Sequence, residues 1–205
     1  MCSSDLEVSI DSLDSLKTLL SIGILANDSK LDKVDELYKI IGDPTEGALV
    51  TLAGKANIRR EDINKSFPRV EEIPFDSDRK MMTTFHKDFI PEKIVSFTKG
   101  APDIIISKCK YIKEGDKVLP FTEDLREKVL QVNSKFAKEA LRVLAFAYKE
   151  YDNIPNEITS DNIESNMVFV GLVGMIDPPR PEAKEAIRLC KQAGINTIMI
   201  TGDYK

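Results

Sequence analysis

The stretch that most constrains the fold is Met167–Ile176, an almost unbroken apolar run. It is too short to cross a bilayer, which takes about 20 such residues in a helix. An apolar run of this length without alternation reads as a strand buried on both faces. After it, Pro181–Ala193 reads as a helix with Ala183, Ala186, Ile187 and Cys190 inward, and Asn196–Ile200 as another buried strand. Strand, helix, strand makes one βαβ unit of a parallel sheet. One unit is too small for a domain, and the chain stops at Lys205, so a piece of a larger protein is expected.

Upstream the periods differ. Asp11–Asn27 predicts a helix, with Leu13, Leu16, Leu20 and Ile24 on one face and Asp11 or Ser12 as its cap. Asp28–Ile41 is polar and predicts a loop or short helix. Asp43-Pro44-Thr45-Glu46 is a helix start: Asp43 at the N-cap, Pro44 at the first position, Glu46 completing a capping box. That helix should reach about Lys55, with Gly54 as a stop signal. Glu61–Lys65 is a short helix at best. Arg69–Pro74, Lys80–His86 and Lys93–Thr98 predict strands, with turns at Asp76-Ser77-Asp78 and around Pro91. Gly100 breaks the third strand, and Pro102 and Asp103 open another helix. Tyr111–Ile112 and Lys117–Leu119 flank a hairpin turn, Thr122–Ala140 is the clearest helix (Leu125, Val129, Val132 and Phe136 on one face), and Arg142–Tyr151 is a strand. Asp152–Asn166 is a connecting loop. The reading is one α+β domain over residues 1–166 and a fragment of another over 167–205.

Composition bounds the function. Of 205 residues, 42% are hydrophobic, enough for a core and too many for a disordered chain. Net charge is −5, which argues against nucleic acid as a partner. No secretory leader is expected, because no basic segment followed by an apolar one opens the chain. The three cysteines, Cys2, Cys109 and Cys190, are far apart and match neither a disulfide framework nor a zinc spacing. A reducing compartment fits them. The single histidine, His86, excludes chemistry that needs a histidine pair.

Each candidate motif has a plain structural account beside the chemical one. Gly47 to Gly54-Lys55 has the wrong spacing for a phosphate loop, and Ala56 stands where a Mg²⁺-holding hydroxyl belongs. Asp76 and Asp78 offer paired carboxylates, but a turn between antiparallel strands explains them better than a phosphatase site at the end of a parallel strand. Glu46 is explained by capping, Phe75 by core packing, and Arg142 by solvation at a helix end. Lys99 is harder to dismiss, because Gly100 beside it lets a backbone approach a ligand closely.

Taken together, Gly42-Asp43-Pro44-Thr45-Glu46, Phe75-Asp76-Ser77-Asp78-Arg79-Lys80, Lys99-Gly100-Ala101-Pro102-Asp103, Leu141-Arg142-Val143-Leu144, Asp177-Pro178-Pro179-Arg180 and Thr201-Gly202-Asp203 resemble the cytoplasmic region of a cation-transporting P-type ATPase, calcium pumps in particular. The resemblance implies a nucleotide-binding domain, an antiparallel sheet flanked by helices, followed by part of a Rossmann-like phosphorylation domain. It implies ATP as ligand, with Phe75 stacking on adenine and Glu46 near its amino group. Lys80 and Lys99 line the base and sugar pocket, Gly100 admits the nucleotide, Arg142 reaches the phosphates, and Leu144 completes the pocket. Asp177, Thr201, Gly202 and Asp203 resemble segments around Mg²⁺ and the transferred phosphoryl group, and Arg180 a hinge residue. An Asp-Lys-Thr-Gly-Thr segment is absent, so the resemblance implies no catalytic residue and no direct metal ligand here. The isolated chain is expected to be inactive, the catalytic aspartate belonging to the parent.

The implied partners are ATP and the parent's remaining phosphorylation, actuator and transmembrane domains. The implied place is the cytoplasmic face of a membrane, with this fragment soluble and making no membrane contact of its own. Two rival readings remain: a free-standing haloacid-dehalogenase-like phosphatase using Asp76 and Asp78, and an interaction module without a ligand.

Overall fold

The structure is a computed structural model and describes residues 14–34, 37–176, 180–198 and 200. Two units are distinguished, one ending at Met175 and one running from Ile176. In the first, helix α1 (Asp14–Leu25) leads into a hairpin of β1 (Lys30–Val34) and β2 (Leu37–Ile41), followed by helices α2 (Pro44–Lys55) and α3 (Arg60–Ser66). Then come β3 (Arg69–Asp76), β4 (Met81–Lys87), β5 (Ile94–Gly100), α4 (Pro102–Lys108), β6 (Cys109–Glu114), β7 (Lys117–Pro120), α5 (Glu123–Lys138), β8 (Arg142–Tyr151), α6 (Ser160–Ile163) and β9 (Met167–Met175).

Strands β3 to β9 form one seven-stranded sheet in the order β3-β4-β5-β8-β9-β6-β7. Every pairing is antiparallel except β6 with β9, so the sheet is mixed and not wholly antiparallel as expected. Helices cover both faces. Ile22, Ile24 and Leu25 of α1 and Leu49 of α2 pack with Phe97, Phe146 and Val170 on one face. Ile105 and Ile106 of α4 pack with Met81, Ala145, Ala147 and Phe169 on the other. That two-sided cover explains the apolar run: Met167 and Phe169 meet the second cluster while Val170 meets the first. The run is a doubly covered strand, but it pairs along β8 in this sheet and belongs to the first unit. It does not open a separate parallel sheet. Burial on both faces follows from the helices and is silent about the direction of neighbouring strands.

In the second unit, α7 (Pro181–Gln192) forms as expected, with Ala183 and Cys190 half-buried. Ala186 and Ile187, expected inward, are exposed. Residues 195–198 and 200 carry no strand, so the partial βαβ unit is not seen among the described residues. Asp28–Ile41, expected as loop or helix, holds the β1–β2 hairpin.

His86 sits inside the first cluster's face of β4, 1% exposed. Its Nδ1 lies 3.0 Å from the Phe67 carbonyl and its Nε2 2.9 Å from the Thr84 hydroxyl. A carbonyl only accepts, so Nδ1 carries the proton and Nε2 accepts from Thr84. Burial pulls its pKa down to about 4 from 6.5, partly opposed by the Phe67 carbonyl. Between those values the unfolded chain binds a proton that the folded chain refuses, so stability rises with pH across this window and falls as pH drops. Moving from pH 6.5 to 5 is expected to remove about 2 kcal/mol through this group alone. Urea unfolding at pH 7 and 5 checks it: His86→Gln should flatten the difference, and an identical loss in both proteins would refute the assignment.

Candidate functional site

Helix α2 begins as its sequence dictates. The Asp43 carboxylate accepts from the Thr45 and Glu46 amides at 2.8 and 3.1 Å, and Pro44 opens the first turn. Burial pushes the Asp43 carboxyl up, but these amides, the Thr45 hydroxyl and Arg142 outweigh it, and the net is below the ordinary value. Glu46 does not close a capping box back onto Asp43. Its Oε2 accepts from the backbone amides of Asp28 and Ser29, at 2.9 and 3.0 Å. Its Oε1 lies 2.5 Å from Lys99 Nζ.

Lys99 comes from β5, where register pairs it with Met82 of β4. It is 6% exposed, and burial draws its ammonium below the usual lysine value, with Glu46 restoring part. Arg142 opens β8 and donates to the Thr45 hydroxyl at 2.9 Å. Phe75 stands near the end of β3 at 63% exposure, so core packing does not explain it.

These elements enclose a cavity of about 540 Å³. Glu46, Phe75, Lys99, Arg142 and Leu144 all line it, together with Asp28, Ser29, Gly42, Asp43, Thr45 and Met82. Lys80 and Gly100 do not line it. Gly100 has another reason to be glycine: an added Cβ would collide with the Lys80 carbonyl oxygen and lie 2.6 Å from Met81 Cβ. The close approach is therefore made by the protein's own β3–β4 turn, in which Lys80 adopts a left-handed φ of 54°. Asp177, Thr201, Gly202 and Asp203 lie outside the described residues.

Asp28 and Ser29 escape a reading of the sequence, because their segment carries no period or motif. Met82 escapes it as well, though its pairing opposite Lys99 puts both on one face of the sheet. A second depression, about 560 Å³, is lined by parts of α1 and α3 with Phe67, Phe89 and Tyr148. Two of its charges, Lys113 and Asp14, already pair at 2.6 Å.

Asp76 and Asp78 are turn residues. Asp76 Oδ1 accepts from the amides of Asp78 and Arg79 at 3.0 and 2.8 Å, and β3 runs antiparallel to β4, its partner at the sheet edge. The strand end that a phosphatase of the rival type requires is not what carries them. No described group of three His, Cys, Asp or Glu gathers as a metal site. No described helix is long and apolar enough to cross a membrane.

The cavity combines an exposed aromatic face, a carboxylate acceptor, a buried ammonium and a guanidinium at one edge. Such a set suits a ligand with a planar ring bearing an amino group at one end and anionic oxygens at the other.

The chain is similar to proteins of one family. A family model described as "P-type ATPase, cytoplasmic domain N" matches residues 15–182. Calcium-transporting ATPase 1 of Bacillus cereus is 42% identical over 192 residues, covering 94% of this chain and 21% of that protein. Calcium-transporting ATPase 1 of Lactococcus lactis is 42% identical over 189 residues, 92% of this chain and 21% of its own length. The calcium-transporting ATPase of Bacillus subtilis is 37% identical over 198 residues, 97% and 22% respectively. The chain thus spans about a fifth of these relatives.

Proposed function

We propose that this chain, which belongs to the P-type ATPase family as its cytoplasmic domain N, binds ATP in the cavity beneath Phe75. The observation that carries the reading is the meeting of Glu46, Phe75, Lys99, Arg142 and Leu144, distant in sequence, around one cavity. Phe75 stacks on the adenine ring, and the Glu46 carboxylate accepts from its amino group while remaining paired with Lys99. Arg142 turns from Thr45 to the phosphates, its fork matching phosphate oxygens. Lys80, exposed on the turn after Phe75, contributes charge at the rim. Gly100 acts by admitting the turn rather than the nucleotide.

The domain presents the γ-phosphate to an aspartate supplied by another part of the parent. Mg²⁺ arrives with the nucleotide and neutralises phosphate charge; the described residues of this chain are assigned no ligand to it. Asp177, Thr201, Gly202 and Asp203 are proposed to lie near that metal and the transferred group once the phosphorylation domain is complete. We assign nucleotide binding to the first unit and phosphorylation-domain character to the tail. The parent is proposed to be a calcium-transporting membrane protein, on the names of its relatives, with this domain on the cytoplasmic side. ATP-dependent Ca²⁺ uptake by vesicles holding the parent tests that step.

Titration of amide shifts with ATP and with AMP tests the site. Shifts are expected at residues 28–29, 42–46, 75–82, 99 and 142–144. Arg142→Ala should weaken ATP roughly 3- to 10-fold, as loss of one exposed hydrogen bond worth about 1 kcal/mol does, and AMP less. Equal losses for both nucleotides would remove Arg142 from the phosphates. An unperturbed wild-type spectrum would favour the ligand-free module.

A further inference from the structure

Phe75 has little packing of its own to hold it, being 63% exposed. Its direction must come from the backbone of the β3–β4 turn. Two kinds of contact fix that backbone. Within the turn, the Lys80 amide donates to the Asp76 carbonyl at 2.7 Å, and Asp76 Oδ1 caps the Asp78 and Arg79 amides. The other contact comes from far away in sequence. Arg79 Nη2 donates to the carbonyl of Pro74, the residue before Phe75, at 2.6 Å. Arg79 Nη1 meets both oxygens of Glu164, at 2.5 and 2.6 Å.

Glu164 is fully buried, in the segment between α6 and β9. The Thr83 hydroxyl donates to it at 2.9 Å, and Thr98 lies 2.9 Å behind Thr83. Thr83 pairs with Thr98 in the sheet, one residue on from the Met82–Lys99 pair that lines the cavity. Neighbouring strand residues face opposite ways. Glu164 therefore lies behind the sheet, where Phe85 and Ile163 pack, and is joined to the turn through Arg79.

We propose that Glu164 is a positioning residue for the nucleotide cavity: through Arg79 and the Pro74 carbonyl it sets the direction of Phe75 from the opposite face of the sheet. A buried carboxylate is retained only where its oxygens are well partnered, and here the cation that partners it also ties the backbone next to the aromatic ring. The ligand half of this inference rests on the proposed function.

The chain has no tryptophan, so Phe75→Trp makes a single reporter at the site in question. The full chain is compared as Phe75→Trp alone, with Glu164→Gln, and with Arg79→Lys. Lysine keeps a cation beside Glu164 but lacks the fork that spans both Glu164 and Pro74, so it protects against a variant that fails to fold. Time-resolved anisotropy of the introduced indole without ligand, ATP affinity by quenching and calorimetry, and the urea midpoint are measured on each. Both double variants are expected to show a larger fast component in the anisotropy and about 5- to 10-fold weaker ATP binding, since imprecise placement forfeits part of the stacking. Arg79→Lys should do so with its urea midpoint nearly unchanged, which a merely structural role would not produce. Unchanged anisotropy in folded Arg79→Lys would overturn the proposal, as would looser anisotropy with undiminished ATP affinity. Looser anisotropy with no ATP binding in wild type or parent would overturn the nucleotide reading and leave the positioning of Phe75 standing.

Discussion

Phe75→Ala is expected to weaken ATP binding roughly 5- to 150-fold while leaving the unfolding free energy within about 0.5 kcal/mol of wild type. The two halves of that expectation come from one observation. At 63% exposure the ring buries little surface within the protein, so its removal opens no cavity in the core. The same exposure leaves one face free for a ligand at the wall of the cavity. Stacking of a base on an aromatic side chain is worth roughly 1–3 kcal/mol, and each 1.4 kcal/mol is tenfold in affinity. AMP should lose as much as ATP, because both carry the ring that stacks. Calorimetric titration of both nucleotides, with a urea melt of each protein, makes the test. A folded variant that binds ATP as wild type does would take Phe75 out of the site. An unfolded variant would show that the ring belongs to the core after all.

Local chemistry was legible in the sequence, and long-range pairing was not. Asp43 and Pro44 announce α2 because capping and fixed φ act within a few residues of chain, whereas Gly54, expected as its stop signal, lies inside the helix, which runs to Lys55 with Ala56 as the C-cap. The turn residues that bound β3, β4 and β5, Asp76-Ser77-Asp78 and those around Pro91, are likewise local signals. The β1–β2 hairpin was hidden because Leu31, Val34, Leu37, Tyr38, Ile40 and Ile41 keep no strict period of two along the sequence. Met167–Met175 was legible as a doubly covered strand but not as a member of the first sheet, since its partners β6 and β8 are chosen by register. Val132, placed on the buried stripe of α5, is 41% exposed, because the helix covers the sheet with Leu125 and Val129 near its start. At the site, motif resemblance singled out Glu46, Phe75, Lys99 and Arg142, yet the Glu46–Lys99 pair spans 53 positions and no local rule predicts it. Glu164, 85 positions from Arg79, gave no signal inside a polar loop.

The Glu46–Lys99 pair carries the other large expectation. Glu46→Ala should cost about 3 kcal/mol of stability and abolish measurable ATP binding, whereas Lys99→Met should cost about 1 kcal/mol. The asymmetry follows from what each change leaves behind. Without Glu46, the Lys99 ammonium has no carboxylate against it in a site where it is 6% exposed, the Asp28 amide loses its acceptor, and the Ser29 amide keeps Asn27 Oδ1 alone. Without Lys99, the Glu46 carboxylate keeps both amides, and a methionine fills the vacated stem with no buried charge to satisfy. The double variant should therefore be more stable than Glu46→Ala alone. The pH dependence has a definite sign. Burial already holds the Lys99 pKa below 10.5, and losing Glu46 removes the hydrogen bond and charge that oppose this. In the window below 10.5 the folded chain then binds fewer protons than the unfolded one, so stability rises with pH there. The deficit of Glu46→Ala should accordingly shrink between about pH 7 and 10, and that of Lys99→Met should not. Urea unfolding of wild type, both single variants and the double variant across that range gives the comparison. Equal losses for the two single variants, independent of pH, would mean that Lys99 and Glu46 interact as a solvated surface pair and that the cavity floor is not dry.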